Sequence, residues 1–190
     1  MSGNSIVDVL FKVLDLVEAE RIPYYVMGGI AARTWGLPRS TFDVDLALVL
    51  EQDAVSGFCA GAERAGFSVP EIHLKGFTDT LQGMSKFSFQ DVAFPKPVTV
   101  DVFLVSTPYL RAVFRRRREV EFEGRSIWML SPEDLVLHKL MAGRTRDFSD
   151  IDDILLIQGS MDRAYLEKWA GPLGVSRLLA ERIPPEAPRG

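Results

Sequence analysis

The chain has 190 residues, of which 47% are hydrophobic, and its formal net charge is −4. That is apolar matter for one globular domain with a small appendage, and the acidic balance excludes non-specific nucleic-acid binding as its main business, although a local basic face stays open. A single cysteine, Cys59, excludes an internal disulfide and fits a reducing cytoplasm.

The first residues show no basic leader and no uninterrupted apolar span, so neither a signal peptide nor a membrane segment is expected. Ile6, Val9, Leu10, Val13, Leu14 and Val17 recur at helical spacing and predict an amphipathic helix over 5–20, ended by Pro23. "YYVMGG" predicts a short strand running into two glycines. "GIAARTWG" predicts a helix that starts there and stops near Gly36 and Pro38. "DVDLALVL" predicts a strand and 52–65 a helix ending at Gly66. Residues 67–97 read as a turn-rich stretch with one strand at "SKFSFQ". "VTVDVFLV" predicts a strand, and "STPYLRAVFRRRR" a helix with a cap and an early proline. "EVEFEGRSIWML" predicts a hairpin turning at Glu123–Gly124. "SPEDLVLHKLMAG" predicts a helix capped by Ser131, with Pro132 at its first position and Asp134 three residues after the cap. A helix from about Phe148 to Ile157 follows, then one or two short helices and a disordered tail. This order implies an α+β (α/β) domain with a mixed sheet flanked by helices. The core spans 1–130, a small helical part 131–183, and the tail 184–190.

Two aspartates interrupt the strand "DVDLALVL". Residues two apart on a strand share a face, so Asp43 and Asp45 point the same way while Val44 and Leu46 point the other. Two carboxylates this close repel unless a cation neutralises them. Mg²⁺ (or Mn²⁺) suits such a pair, since it takes one or two protein carboxylates plus substrate phosphates. Asp101 is the only charge in "VTVDVFLV" and offers a third carboxylate. Three aspartates on neighbouring strands can hold two metal ions for in-line phosphoryl or nucleotidyl transfer. The plainer alternative is an aspartate that caps a turn or is simply solvated. Gly28 and Gly29 follow a strand and open a helix, where backbone N–H groups and the helix dipole suit an anion. Many strand-to-helix turns need such a pair for geometry alone.

Gly28-Gly29, thirteen intervening residues, Asp43-Val44-Asp45 and a later Asp101 together resemble the DNA polymerase β-type nucleotidyltransferase superfamily. "GLPRSTFDVDL" and "SPEDLVLHKLMAGRTRDFSDIDDI" are similar to its minimal bacterial members, among them the abortive-infection (AbiEii-type) nucleotidyltransferase toxins. The resemblance covers about residues 23–157. It departs from many members at Gly29, where a serine is common. It implies a catalytic core over 1–130 that moves a nucleoside monophosphate from an NTP, ATP included, to a hydroxyl on RNA such as tRNA or on a small molecule. It further implies Asp43 and Asp45 as metal ligands, Asp101 as the carboxylate that activates the acceptor hydroxyl, directly or through a second metal, and Lys139 as a ligand of the triphosphate, the plainer alternative being a surface lysine on an amphipathic helix. A toxin would carry an antitoxin protein as partner.

Arg39 and Ser40, just before the aspartate pair, would hold a phosphate or form a loop salt bridge. Asp147 and Asp150 would fix Lys139 or Arg144, or complement the next helix dipole, which is the expected role. Arg111 and Arg115 to Arg118 would meet RNA phosphates, joined by Arg144 and Arg146, or the run would form a solvated helix end, the second being the expected reading. His73 and His138 lack metal-ligand spacing and are expected to be structural. Trp35, Trp128 and Trp169 are expected in core or interface positions. The rival from another class is a non-catalytic module that binds a nucleotide or partner on the same fold. A kinase-like phosphotransferase is excluded by its missing glycine loop and catalytic motifs.

Overall fold

The structure, a computed structural model, describes residues 5–93 and 96–184. The tail expected over 184–190 lies outside the described residues from position 185 on. Helix α1 (Ile6–Ala19) opens with a reciprocal cap: the Asp8 N–H donates to the Ser5 hydroxyl, and the Ser5 N–H to the Asp8 carboxylate. Strand β1 (Tyr24–Val26) leads into α2 (Gly28–Trp35), and β2 (Asp43–Leu48) follows. After a 3₁₀ turn at Gln52–Ala54 come α3 (Val55–Arg64), a short α4 (Glu71–Leu74), β3 (Asp79–Leu81), β4 (Met84–Asp91) and β5 (Val98–Leu104). Helix α5 (Pro108–Arg116) and the hairpin of β6 (Arg118–Phe122) with β7 (Arg125–Met129) come next. The chain continues through α6 (Pro132–Ala142), α7 (Thr145–Gln158), α8 (Arg163–Ala170) and α9 (Ser176–Arg182).

Among the described residues the seven strands form one mixed sheet in the order β3-β4-β5-β2-β1-β7-β6. The pairs β2–β5 and β1–β7 are parallel and the others antiparallel. This is the mixed sheet flanked by helices that the alternation of elements implies. The stretch 67–97 holds more than one strand. Its "TLQGMS" turns a β3–β4 hairpin at Gln82–Gly83, both with positive φ, as are Glu123–Gly124 in the β6–β7 hairpin.

The chain divides into two compact units, with the division running through α2. The first holds residues up to Ala31 together with Arg39–Leu130. Its sheet has two contrasting faces across β4, β5 and β2. Phe87, Phe89, Val100, Val102, Val44 and Leu46 are buried on one side, where Phe58 of α3 meets Phe87 edge-on at 5.9 Å and Phe67 meets Phe89 at 4.9 Å. The other side carries Lys86, Ser88, Gln90, Thr99, Asp101, Asp43 and Asp45, none of them buried. The arginine run is not one surface. Arg117 lies between α5 and β6, with its guanidinium 3.8 Å from the Phe114 ring centroid and 4.4 Å from that of Trp128.

The second unit comprises Ala32–Pro38 and the residues from Ser131 on. Helix α6 is buried on nearly every side, and two of its acidic side chains are bonded within the unit. The Tyr165 hydroxyl donates to Asp134 at 2.7 Å, and the Asp162 N–H to Glu133 at 3.3 Å. Trp35, Trp128 and Trp169 are each half-buried. Among the described residues no helix is long and apolar enough to cross a membrane.

Candidate active site

The parallel pairing of β2 with β5 sets Asp45 opposite Asp101 and Asp43 opposite Thr99. The antiparallel pairing of β5 with β4 sets Ser88 opposite Asp101 and Gln90 opposite Thr99. Directly paired residues share a face, so Ser88, Asp101 and Asp45 form one row across three strands, and Gln90, Thr99 and Asp43 form the next. Neighbouring strands lie about 4.8 Å apart, which makes Asp45 and Asp101 nearest neighbours. Asp43 begins its strand and is exposed, while Asp45 and Asp101 are half-buried.

The glycines complete one end of this face. Gly28 has φ +63°, and a Cβ placed on it would come within 2.7 Å of the Asp45 Cβ and closer still to its carboxylate. Only glycine permits both the left-handed backbone and that approach. The Asp45 carboxylate therefore abuts the start of α2, where the first N–H groups of a helix have no intrahelical acceptor and the dipole favours negative charge. Gly29 is crowded in another way. A Cβ there would run into the Thr41 side chain, while an Arg39 terminal nitrogen lies 3.6 Å from the same point. The Thr41 hydroxyl donates to Asp43 Oδ1 at 2.8 Å. The absent side chain at position 29 thus makes room for a hydroxyl supplied by Thr41. Arg39 brings a guanidinium to the same corner, and it donates to the Ser40 carbonyl at 3.1 Å. Ser40 itself is exposed.

Sequence reasoning missed two residues at this site. Thr41 is one, and its signal was a hydroxyl two residues before the first aspartate. Lys86 is the other. It rises from β4 and pairs with Asp101 Oδ2 at 2.8 Å. Its signal was the alternation in "SKFSFQ", which sets Lys86, Ser88 and Gln90 opposite in sense to Phe87 and Phe89.

Lys139 belongs to the second unit. It is buried, and its ammonium meets Asp147 at 2.9 Å and Asp150 at 2.6 Å. Asp147 also accepts from the Arg144 backbone N–H and guanidinium. The two aspartates were expected to serve the α7 dipole. Asp147 does cap that helix, but both also clamp Lys139. Burial alone would raise the Asp147 carboxyl, and the hydrogen bonds from Arg144 and Lys139 overcome this and hold it below the ordinary carboxylate range. Beside them, burial pushes the His138 imidazole down to about 4, and Lys139 adds to the effect.

Among the described residues, no group of three or more His, Cys, Asp or Glu side chains is gathered closely enough to hold a metal ion. The hard oxygen donors of Asp43 and Asp45 on one solvent-accessible face nevertheless fit Mg²⁺, which needs only one or two carboxylates when phosphates complete its shell.

A family model described as "Nucleotidyltransferase of unknown function (DUF6036)" matches residues 10–171. No curated relative matches the chain. Among solved structures, the fold is similar to ANT(2″)-Ia in complex with adenylyl-2″-tobramycin. That match has TM-score 0.59 and 15% identity, covering 90% of this chain and 98% of that one. It is similar also to the lincosamide antibiotic adenylyltransferase LnuA bound to lincomycin, with TM-score 0.55 and 15% identity, covering 82% of this chain and 99% of that one. A third is an antigenic nucleotidyltransferase-like protein from Paracoccidioides brasiliensis, with TM-score 0.55 and 16% identity, covering 93% and 91%.

Proposed function

From the premise that this chain belongs to the nucleotidyltransferase family whose model spans residues 10–171, we propose that it moves a nucleoside monophosphate from an NTP to an acceptor hydroxyl and releases pyrophosphate. The observation that carries the reading is the register of β2 on β5, which sets Asp45 beside Asp101, with Gly28 seated against the Asp45 carboxylate. Asp43 and Asp45 would hold Mg²⁺ or Mn²⁺. When bound, the ion neutralises the triphosphate and polarises the phosphorus under attack. Asp101 accepts the proton of the acceptor hydroxyl. The first N–H groups of α2 and the Arg39 guanidinium bind the phosphates, and the missing side chains at 28 and 29 let them approach. Thr41 fixes Asp43 in one rotamer.

ATP is the first donor to test, because one fold neighbour is an adenylyltransferase and another was solved with adenylyl-2″-tobramycin. The acceptor is an RNA such as tRNA or a small hydroxyl compound. Within the first unit, Arg111, Arg115 and Arg118 are the exposed arginines of α5 and β6 that RNA phosphates would meet. A toxin role and an antitoxin partner follow from the resemblance alone, as does Lys139 as a triphosphate ligand. The buried, unpaired Cys59 accords with a cytoplasmic setting.

Incubation with each labelled NTP, total RNA and a pool of small hydroxyl compounds tests this directly. Label is expected in one acceptor class, only with divalent metal. NTP binding with no transfer to any acceptor would favour the binding-module reading. RNA transfer that survives replacement of Arg111, Arg115 and Arg118 by serine would remove those arginines from the acceptor surface.

A further inference from the structure

We propose that Lys86 takes the place of a second divalent cation at Asp101, so that the site binds one metal ion, on Asp43 and Asp45, rather than two. The inference rests on the reading of these acids as a metal-dependent transfer site.

Three carboxylates on two adjacent strands repel one another unless cations balance them. Lys86 lies two residues along β4 from Ser88, the residue that faces Asp101 directly. It reaches diagonally to Asp101 Oδ2 at 2.8 Å. Both side chains are only 20% exposed, so this is not the freely solvated pair that side-chain entropy and screening disperse. The ammonium also lies 5.8 Å from the Phe103 ring centroid, on the residue paired with Lys86. The lysine is thus held at the acid by a cross-strand partner as well as by charge. Asp43 is turned to Thr41, and no three acidic groups among the described residues gather into a metal cluster. One lysine and one divalent cation balance the three carboxylates. Asp101 meets Lys86 through Oδ2 and keeps its other oxygen for the acceptor hydroxyl.

Electron paramagnetic resonance of Mn²⁺ with the full chain and a non-hydrolysable ATP analogue reads the number of ions, because two ions about 4 Å apart couple their spins. The unaltered protein should show one protein-bound, isolated Mn²⁺. Lys86→Met should show a spin-coupled pair, and Lys86→Arg should return the isolated signal. A coupled pair in the unaltered protein overturns the proposal, as does an isolated ion in both the unaltered protein and Lys86→Met. Should Lys86→Met fail to fold, Lys86→Gln supplies the same comparison. Asp43→Asn separates the two levels of the argument. If it abolishes a coupled pair, the metal-site reading stands and only the role of Lys86 falls. If no protein-bound Mn²⁺ appears at all, both fall.

Discussion

The carboxylate of Asp45 fills the space that any side chain on Gly28 would need, and Gly28 itself sits at φ +63°. A strand residue and a helix-opening residue are in this way fitted to each other, and the contact fixes where the acid meets the start of α2. Gly28→Ala tests the fit. A left-handed backbone costs a residue with a Cβ about 1–2 kcal/mol, and the displaced carboxylate adds to that. The variant is expected to lose roughly 1–3 kcal/mol of stability in denaturant unfolding and most of its metal-dependent turnover. Stability and turnover both equal to the parent would show that the contact is not required.

Lys139 is predicted to brace α6 to α7. Lys139→Met leaves Asp147 and Asp150 buried without their shared cation, a loss on the order of 3–5 kcal/mol. Chemical unfolding of the variant measures it. Unchanged stability together with weakened NTP binding would instead make Lys139 the triphosphate ligand that the resemblance implies.

Acid should weaken the second unit through His138. Its folded value of about 4 lies below the ordinary 6.5, so the unfolded chain binds the extra proton. The stabilisation is complete above pH 6.5 and is lost as pH falls from there toward 4. A shift of that size corresponds to about 3 kcal/mol. Unfolding free energies measured at pH 7.5 and 4.5 should differ by that order in the parent, and by much less in His138→Gln. An equal pH dependence in both proteins would assign the effect to other groups.

The elements that place the acids were legible because their signals are local. The strand of Asp43 and Asp45, the apolar run around Asp101, and the serine and proline opening α6 all follow from spacing and caps. What was not legible depends on partners far away in the chain. The β3–β4 hairpin was missed although its Gln82–Gly83 turn matches the Glu123–Gly124 turn that was read, because its short strand β3 is exposed throughout and lacks an apolar face. Lys86 was visible as a lysine on a strand. Its role appeared only once the register set β4 against β5. Arg117 looked like one of four equal arginines, yet stacking on Phe114 and Trp128 removes it from the charged surface, and burial lowers its basicity. Asp147 and Asp150 were weighed as partners of Lys139 or Arg144 but expected to serve their own helix, since nothing local ranks a lysine eight and eleven residues upstream above the nearby dipole.

In the proposed transfer reaction Asp101 and the Asp43–Asp45 pair share one site, where nucleotide binding and hydroxyl activation are separate tasks. Asp101→Asn measures it most directly, with NTP affinity, thermal unfolding and label transfer followed on the same preparation. NTP affinity is expected within about twofold of the parent, with an unchanged fold and transfer reduced by about 10²–10⁴-fold. Transfer at the parent rate, or loss of NTP binding together with the fold, would contradict it.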